Sequence, residues 1–300
     1  MKTAVILGSL GQDGRILEGQ LKQQGYKVIG IDRNHQVDIC KPKAVKDLIS
    51  NTRPDEVYHF AAFHQSSEEE VSETPEFKEK SHDVNVASVQ YFLEAIKMYS
   101  PTSKFFYASS SHIFGENKDG IQSEETPFNP TTAYGENKAK AMSLCRHYRN
   151  AHNIFACVAI FYTHESCYRS EKFLSQKVVQ AALRKEPISV GDLSAVVDWG
   201  YAPEYTQAAQ SIMHTLIPED FIIATGHKMT VQDFVAETFS SCNLNWKDYV
   251  RENKEILKRK GPVRIGNPSK IKRVTGWIPK TFGQALAKIL LQTTKELKDK

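Results

Sequence analysis

Long apolar runs are what this chain lacks most plainly. No stretch of its 300 residues approaches the roughly 20 apolar residues that a membrane helix needs, so membrane spanning is not expected. Met1 to Leu7 leads straight into a short apolar strand, which leaves too little for a signal peptide. Cysteine is sparse. Cys40, Cys145, Cys157, Cys167 and Cys242 form no C-x-x-C pair, and no His/Cys spacing suits zinc. Reduced thiols in a cytoplasm, and no metal, are the expectation. An excess of one charge is also missing. A net charge of +4 permits an anionic ligand but is far below the basicity of a typical nucleic-acid-binding domain. There is no internal repeat and no low-complexity linker. What remains, 40% apolar and 25% charged, is an ordinary soluble globular composition with room for one large core or two modest lobes.

Strand and helix patterns alternate from the start. Thr3 to Leu7, Lys27 to Ile31, Glu56 to Ala61, Lys104 to Ser109 and Phe155 to Phe161 are short apolar runs suited to buried parallel strands. Between them, Arg15 to Gln24, Val45 to Asn51, Asp83 to Tyr99 and Ala133 to Ala151 have helical spacing. This alternation predicts an α/β fold, a Rossmann-type doubly wound parallel sheet with helices on both faces. After residue 162 the rhythm loosens, and helices near 172–185, 230–240 and 283–297 are separated by Pro- and Gly-containing stretches. A smaller, mostly helical C-terminal substrate lobe is expected. The dinucleotide-binding part would be 1–162 with a returning strand (Phe221 to Thr225) near 196–226. The second lobe would be 163–195 and 227–300.

The first strand runs into GSLGQDG, with Gly8, Gly11 and Gly14 three residues apart. One glycine permits a sharp turn, one lets backbone approach a pyrophosphate, and one lets the following helix pack on the strand. That helix presents its N-terminal N–H groups to phosphates. Asp32 ends the second strand, 18 residues past Gly14, where a carboxylate accepts hydrogen bonds from an adenosine ribose. Candidate cofactor contacts are therefore Gly8, Leu10, Gly11, Gln12, Asp13 and Gly14, then Asp32 and Arg33, then Ala61 and Ala62. Asp32 repels a 2′-phosphate and favours NAD. Arg33 could hold that phosphate, so NADP stays open.

Tyr134 and Lys138 lie four apart in TTAYGENKAKAM and share a helix face. A tyrosine with pKa of ~10 is a poor base at neutral pH. A neighbouring ammonium, together with an oxidised nicotinamide, favours the phenolate, which can take a proton from a substrate hydroxyl as hydride leaves the carbon. Ser110, at a strand end, would share the hydrogen bond.

A Gly-x-x-Gly-x-x-Gly turn, a serine strand end and Tyr-x-x-x-Lys in this order resemble the extended short-chain dehydrogenase/reductases. GSLGQDG, PDEVYHFAA (54–62), THES (163–166), DWG (198–200), IIATG (222–226) and GNPSK (266–270) are similar to segments of the GDP-mannose 4,6-dehydratases. The resemblance implies a nicotinamide dinucleotide, a nucleoside-diphosphate sugar that is GDP-linked, and hydride transfer at sugar C4. It also implies a homodimer or homotetramer paired through the helices at 83–99 and 133–151. His64, Ser111, Thr163, Glu165, Ser166, Arg169 and Lys172 fall where such a sugar would be held.

The chain departs from that pattern at informative places. His112 stands where the dehydratases carry the Glu that moves protons between C5 and C6. Thr163 replaces an Asn, and Val197 replaces an Arg that would meet the diphosphate. Arg169, Arg259 or Arg264 could supply the missing charge. Imidazole can shuttle protons, so dehydration at C5–C6 through Tyr134, Lys138, Ser110 and His112 is the leading expectation. Reduction of a 4-keto sugar, C4 epimerisation and 4-dehydrogenation remain alternatives. So does a non-catalytic dinucleotide sensor, although a sensor has no need of a proton path. The basic stretch 251–273 lacks an aromatic platform and is a weak case for nucleic acid.

Overall fold

The computed structural model describes residues 1–34, 37–64, 66–69, 74–115, 120–258, 261 and 263–299. Six parallel strands form the central sheet: β1 (Thr3–Leu7), β2 (Lys27–Ile31), β3 (Glu56–His59), β4 (Lys104–Ser110), β5 (Ala156–Phe161) and β6 (Asp220–Ile223), in the spatial order β6-β5-β4-β3-β1-β2. All pairings are parallel, with Leu7 opposite both Ile31 and His59. The expected returning strand thus joins the sheet, one residue earlier than the sequence suggests. From β1 the chain passes to β2 on one side, and β3 lies on the other. That reversal opens a crevice at the carboxyl ends of the strands.

Alternate residues of each strand point to opposite faces. Val5, Leu7, Val57, Phe105, Tyr107 and Val158 pack against α2 (Pro42–Thr52), α4 (Ser88–Tyr99) and α5 (Ala133–His152). Ala4, Ile6, Tyr58, Phe106 and Cys157 pack against α1 (Gln12–Gln23) and α7 (Ala202–Met213). A third apolar cluster joins α6 (Leu174–Arg184), α8 (Val231–Ser240) and α10 (Gly283–Lys298) around Trp199, Val190 and Val250.

Beyond shifts of a few residues at element ends, the main differences from the sequence expectation are in helices. The helix anticipated from Asp83 begins earlier, as α3 (Pro75–His82), and passes through a π-helical turn at Asp83–Ala87 before α4. Thr74 caps it by accepting a hydrogen bond from the Phe77 N–H. Helix α7 was not anticipated at all. Its buried stripe includes Ala202, Ala208 and Ala209, small side chains that leave a weak periodic signal. The seven-residue helix α9 (Ser269–Thr275) was also missed. Among the described residues no helix is long and apolar enough to cross a membrane, and no cluster of His, Cys, Asp and Glu is arranged to hold a metal ion.

Candidate active site

A cavity of about 1150 Å³ occupies the crevice. Gly8, Leu10, Gly11, Gln12, Asp13 and Gly14 line one end, with Asp32, Arg33, Ala61 and Ala62 beside them. Ser110, Ser111, His112, Tyr134, Lys138, His64, Thr163 and Arg169 line the other. The structure therefore brings together residues spread over more than half the chain.

The first end fits a dinucleotide. Gly8 has φ of +83°, and a Cβ there would come within 2.9 Å of the Ala61 backbone nitrogen. Only glycine makes this turn while letting the loop close over β3. Helix α1 starts at Gln12, so its unpaired N–H groups face the cavity, the arrangement that receives phosphate. Asp32 is fixed at the end of β2, accepting from the Asn34 N–H at 2.7 Å and from Ser9 Oγ at 3.2 Å.

Gln12 and Asp13 do more than line the wall. The Gln12 amide donates to the His164 carbonyl at 3.1 Å and accepts from Ser166 Oγ at 3.0 Å. Asp13 receives His164 Nε2 at 3.0 and 3.1 Å on its two carboxylate oxygens, while His164 Nδ1 lies 2.7 Å from the Tyr162 carbonyl. A carbonyl and a carboxylate can only accept, so both ring nitrogens donate and His164 is an imidazolium. Burial alone would lower its pKa, but the charge and hydrogen bond of Asp13 raise it above the ordinary histidine value. Burial alone would raise the Asp13 carboxyl, and the same pairing brings it below the ordinary range. The glycine turn is thus tied by a salt link to the short strand Thr163–Glu165, which pairs in parallel with Trp199–Tyr201.

Sequence reasoning chose Thr163, Glu165 and Ser166 and passed over His164. The alternation of a strand carried the missing signal, since 163 and 165 share a side and 164 takes the other. Glu165 and Ser166 are not on the cavity wall. Glu165 is buried, accepting from Ser175 Oγ at 2.6 Å and facing Arg169 Nε at 3.6 Å. Lys172 is also off the wall, its side chain 69% exposed and paired with Glu69 at 3.1 Å. Arg169 does reach the wall, and its guanidinium lies 3.7 Å from the centre of the Phe173 ring. Arg259 lies outside the described residues.

At the other end β4 stops at Ser110 and the chain turns through one 3-10 turn, Ser111–Phe114. Ser110 Oγ accepts from the His112 N–H at 3.4 Å. Helix α5 starts just across, capped by Thr132 Oγ1 accepting from the Gly135 N–H at 3.1 Å. A Cβ on Gly135 would fall 2.5 Å from the His112 carbonyl oxygen, so glycine lets the two backbones meet. That approach sets Tyr134 beside His112, ring centres 5.6 Å apart, with His64 edge-on at 4.8 Å. Arg264 Nη2 lies 3.2 Å from His112 Nε2.

Lys138 is buried and donates to the Ala108 carbonyl at 2.7 Å, with Nζ 5.6 Å from the centre of the Tyr134 ring. Burial pulls its pKa down to about 7. Burial pushes the Tyr134 phenol up to about 12, against the opposing pull of a Ser110 hydrogen bond and the Arg169 charge. The acidic phenol expected from the sequence includes an oxidised nicotinamide beside the lysine, and these shifts belong to the protein's own groups alone. The ammonium is spent on a carbonyl, and low-dielectric surroundings disfavour the charged form of both groups.

Three segments quoted for the family resemblance meet away from the cavity. The Asp198 carboxylate accepts from Thr225 N–H and Oγ1 at 2.9 and 2.5 Å, Gly226 N–H at 3.0 Å and Gly266 N–H at 3.1 Å. DWG, IIATG and GNPSK therefore form one buried staple. Val197, where the family Arg was expected, pairs with Met229 in a two-residue antiparallel ladder.

A family model described as GDP-mannose 4,6 dehydratase matches residues 33–289. The chain belongs to the GDP-mannose 4,6-dehydratase family. Among its relatives, GDP-mannose 4,6 dehydratase 2 of Arabidopsis thaliana is 30% identical, the match covering 99% of this chain and 87% of that protein. GDP-mannose 4,6 dehydratase 2 of Caenorhabditis elegans is 31% identical over 96% of this chain and 87% of its own length. In fold the family member superposes on the dTDP-glucose 4,6-dehydratase of Bacillus anthracis, solved with NAD, with a TM-score of 0.86 at 19% identity, covering 100% of this chain and 98% of that one. RMD of Pseudomonas aeruginosa, solved with NADPH, gives 0.85 at 18% identity, with 99% and 100% covered. The family enzymes are nucleotide-sugar dehydratases, and the fold neighbours are dehydratases, epimerases and related enzymes of the extended short-chain dehydrogenase/reductase type.

Proposed function

We propose that this chain modifies a GDP-linked sugar by moving hydride at C4, with a dinucleotide seated against the glycine turn. One observation carries the reading: Ser110, Tyr134 and Lys138 converge on the far end of a cavity whose near end is a phosphate-receiving helix N-terminus. Asp32 favours NAD over NADP by its charge, while Arg33 on the same wall keeps NADP in play. When bound, the dinucleotide supplies the hydride acceptor and a positive ring that favours phenolate. Tyr134 takes the proton of the C4 hydroxyl, Ser110 holds that oxygen, and Lys138 steadies the strand end through Ala108 while its charge remains within reach of the phenol. Residues 1–162 with β6 would carry the dinucleotide, and 163–195 with 227–300 the nucleotide sugar, where Arg169 on the wall could pair with a diphosphate. Pairing through α4 and α5 into a dimer or tetramer extends the reading, and light scattering tests it.

Family membership points to loss of water across C5–C6 as one outcome, with His112 in place of the usual carboxylate. The Arg264–His112 contact favours a second outcome in which chemistry ends at C4, as 4-keto reduction, 4-epimerisation or 4-dehydrogenation. Incubation with GDP-mannose and other nucleotide sugars, followed by mass analysis, separates them. Loss of one water marks the dehydratase. An isomer of equal mass marks an epimerase, and turnover only of a 4-keto sugar with reduced cofactor marks a reductase. Tight dinucleotide binding with no turnover on any nucleotide sugar would refute the enzyme reading and leave a sensor.

A further inference from the structure

Elimination of water needs a group that both removes the C5 proton and protonates the departing C6 hydroxyl. His112 is placed for that work, but its ring is already engaged by Arg264. A guanidinium has donors and no acceptor, so Nε2 must accept. A ring nitrogen that accepts carries no proton, and the imidazole is therefore neutral with its one proton on Nδ1. Such a ring has no lone pair to offer as a base while Arg264 stays in place.

Arg264 is not a loosely held surface side chain. The next two residues, Ile265 and Gly266, pair in parallel with Ile121 and Gln122. The Ile265 N–H donates to the Gly120 carbonyl at 2.9 Å, and the Gly266 N–H is held by Asp198 at 3.1 Å. The staple that gathers DWG, IIATG and GNPSK thus also delivers the guanidinium to the ring. Behind it, the Tyr162 hydroxyl donates to Gln122 at 2.7 Å, so this side of the site is ordered and polar. On its other side His112 is held by the Ser110 cap on its N–H and by the close approach of Gly135.

We propose that Arg264 is a positioning residue that fixes the proton of His112 on Nδ1, so that the ring offers no base to C5 and the reaction ends at C4. This rests on the C4 reading above. In the step that remains, the C4–H bond breaks with its electron pair leaving as hydride to the dinucleotide. The hydroxyl proton passes to Tyr134, and the carbonyl forms. The reverse step gives the alcohol, and no C–O bond breaks in either direction.

The test begins with the purified chain alone, labelled with 15N in its histidines. The His112 ring, assigned by its disappearance in His112→Gln, is expected as the Nδ1–H tautomer. Arg264→Met should move the tautomer ratio about tenfold toward Nε2–H, since a charge-assisted hydrogen bond is lost. A wild-type ring protonated on Nε2 overturns the proposal, as does a ratio unchanged in Arg264→Met. Should that variant fail to fold, the wild-type tautomer still decides. Product mass with GDP-mannose is the second arm. Loss of water by the wild type overturns the proposal while leaving the C4 reading intact. The expected tautomer with no C4 turnover on any nucleotide sugar, or on any 4-keto sugar, overturns the C4 reading and with it the claim that the reaction ends there.

Discussion

Replacing Asp13 with Asn removes one charge from the pair with His164 and leaves an acceptor of nearly the same shape. The cost then measures the ionic part of the link between the glycine turn and the strand Thr163–Glu165. Two contacts of 3.0 and 3.1 Å join the groups, whose side chains are only 11% (His164) and 20% (Asp13) exposed. A hydrogen bond to a charged group contributes ~1.5–3 kcal/mol. The residual exposure argues for the lower half, about 2 kcal/mol, because solvent screens part of the attraction. In Asp13→Asn the imidazole would also shed its second proton, which caps the loss. For a chain of this size that corresponds to a fall in Tm of roughly 4 °C. The pH dependence is the sharper check. The His164 pKa is raised in the folded protein, so its contribution is complete below about 6.5 and fades as pH rises through the folded value. Asp13 is depressed, so its contribution holds above about 4 and is lost as pH falls through its own folded value. Thermal unfolding of wild type and Asp13→Asn should therefore differ most between about pH 4.5 and 6, and converge in alkali. A difference that is the same at pH 5.5 and at alkaline pH, or none at pH 5.5, would refute a buried imidazolium.

Lys138 supplies the opposite slope. Its folded pKa is pulled down to about 7, so between that value and about 10.5 the unfolded chain holds more protons and stability climbs with pH. The full climb is on the order of 5 kcal/mol, and urea titrations of Lys138→Met should lack it. Tyr134→Phe should lower kcat on any nucleotide sugar by about 10²- to 10⁴-fold while dinucleotide affinity holds, as followed by fluorescence titration. Asp198→Ala strips the acceptor from three backbone N–H groups and should cost about 3–5 kcal/mol by denaturant unfolding, although Asp198 is absent from the cavity wall. Gly135→Ala places a methyl 2.5 Å from the His112 carbonyl, and should cost about 1–3 kcal/mol in unfolding together with a fall in turnover.

Local signals in the sequence were sharp where a short apolar run is bounded by glycine. Thr3–Leu7 and Lys27–Ile31 have the anticipated boundaries, because a β-branched run flanked by Gly8 or Gly25 leaves little choice. Helix α5 and the shared face of Tyr134 and Lys138 followed from spacing alone. Helix α7 was hidden because alanines, Thr206 and Gln210 share its buried face with Tyr205, Ile212 and Met213, which blurs the apolar period. The π-helical turn before α4 was hidden because it keeps a helical pattern while adding a residue to one turn. In the site, the residues that act by position along the chain were legible. Those that act by contact across it were not, such as His164 on Asp13, 151 residues away, and Arg264 on His112, 152 residues away. No local pattern encodes a partner at that distance.

That division bears on how far the family resemblance reaches. The similar segments do two separate jobs. GSLGQDG and THES hold each other through Gln12, Asp13, His164 and Ser166, and so shape the end of the cavity suited to a dinucleotide. DWG, IIATG and GNPSK close on the Asp198 carboxylate and shape the scaffold. Neither set touches the atoms that distinguish loss of water from chemistry confined to C4. On the proposal above those atoms belong to His112, whose Nε2 lies 3.2 Å from Nη2 of Arg264, two residues before the GNPSK segment. On that proposal a chain keeps every shared segment and still changes its product, because the scaffold sets where the ring sits while the Arg264 guanidinium beside Nε2 biases which nitrogen carries the proton.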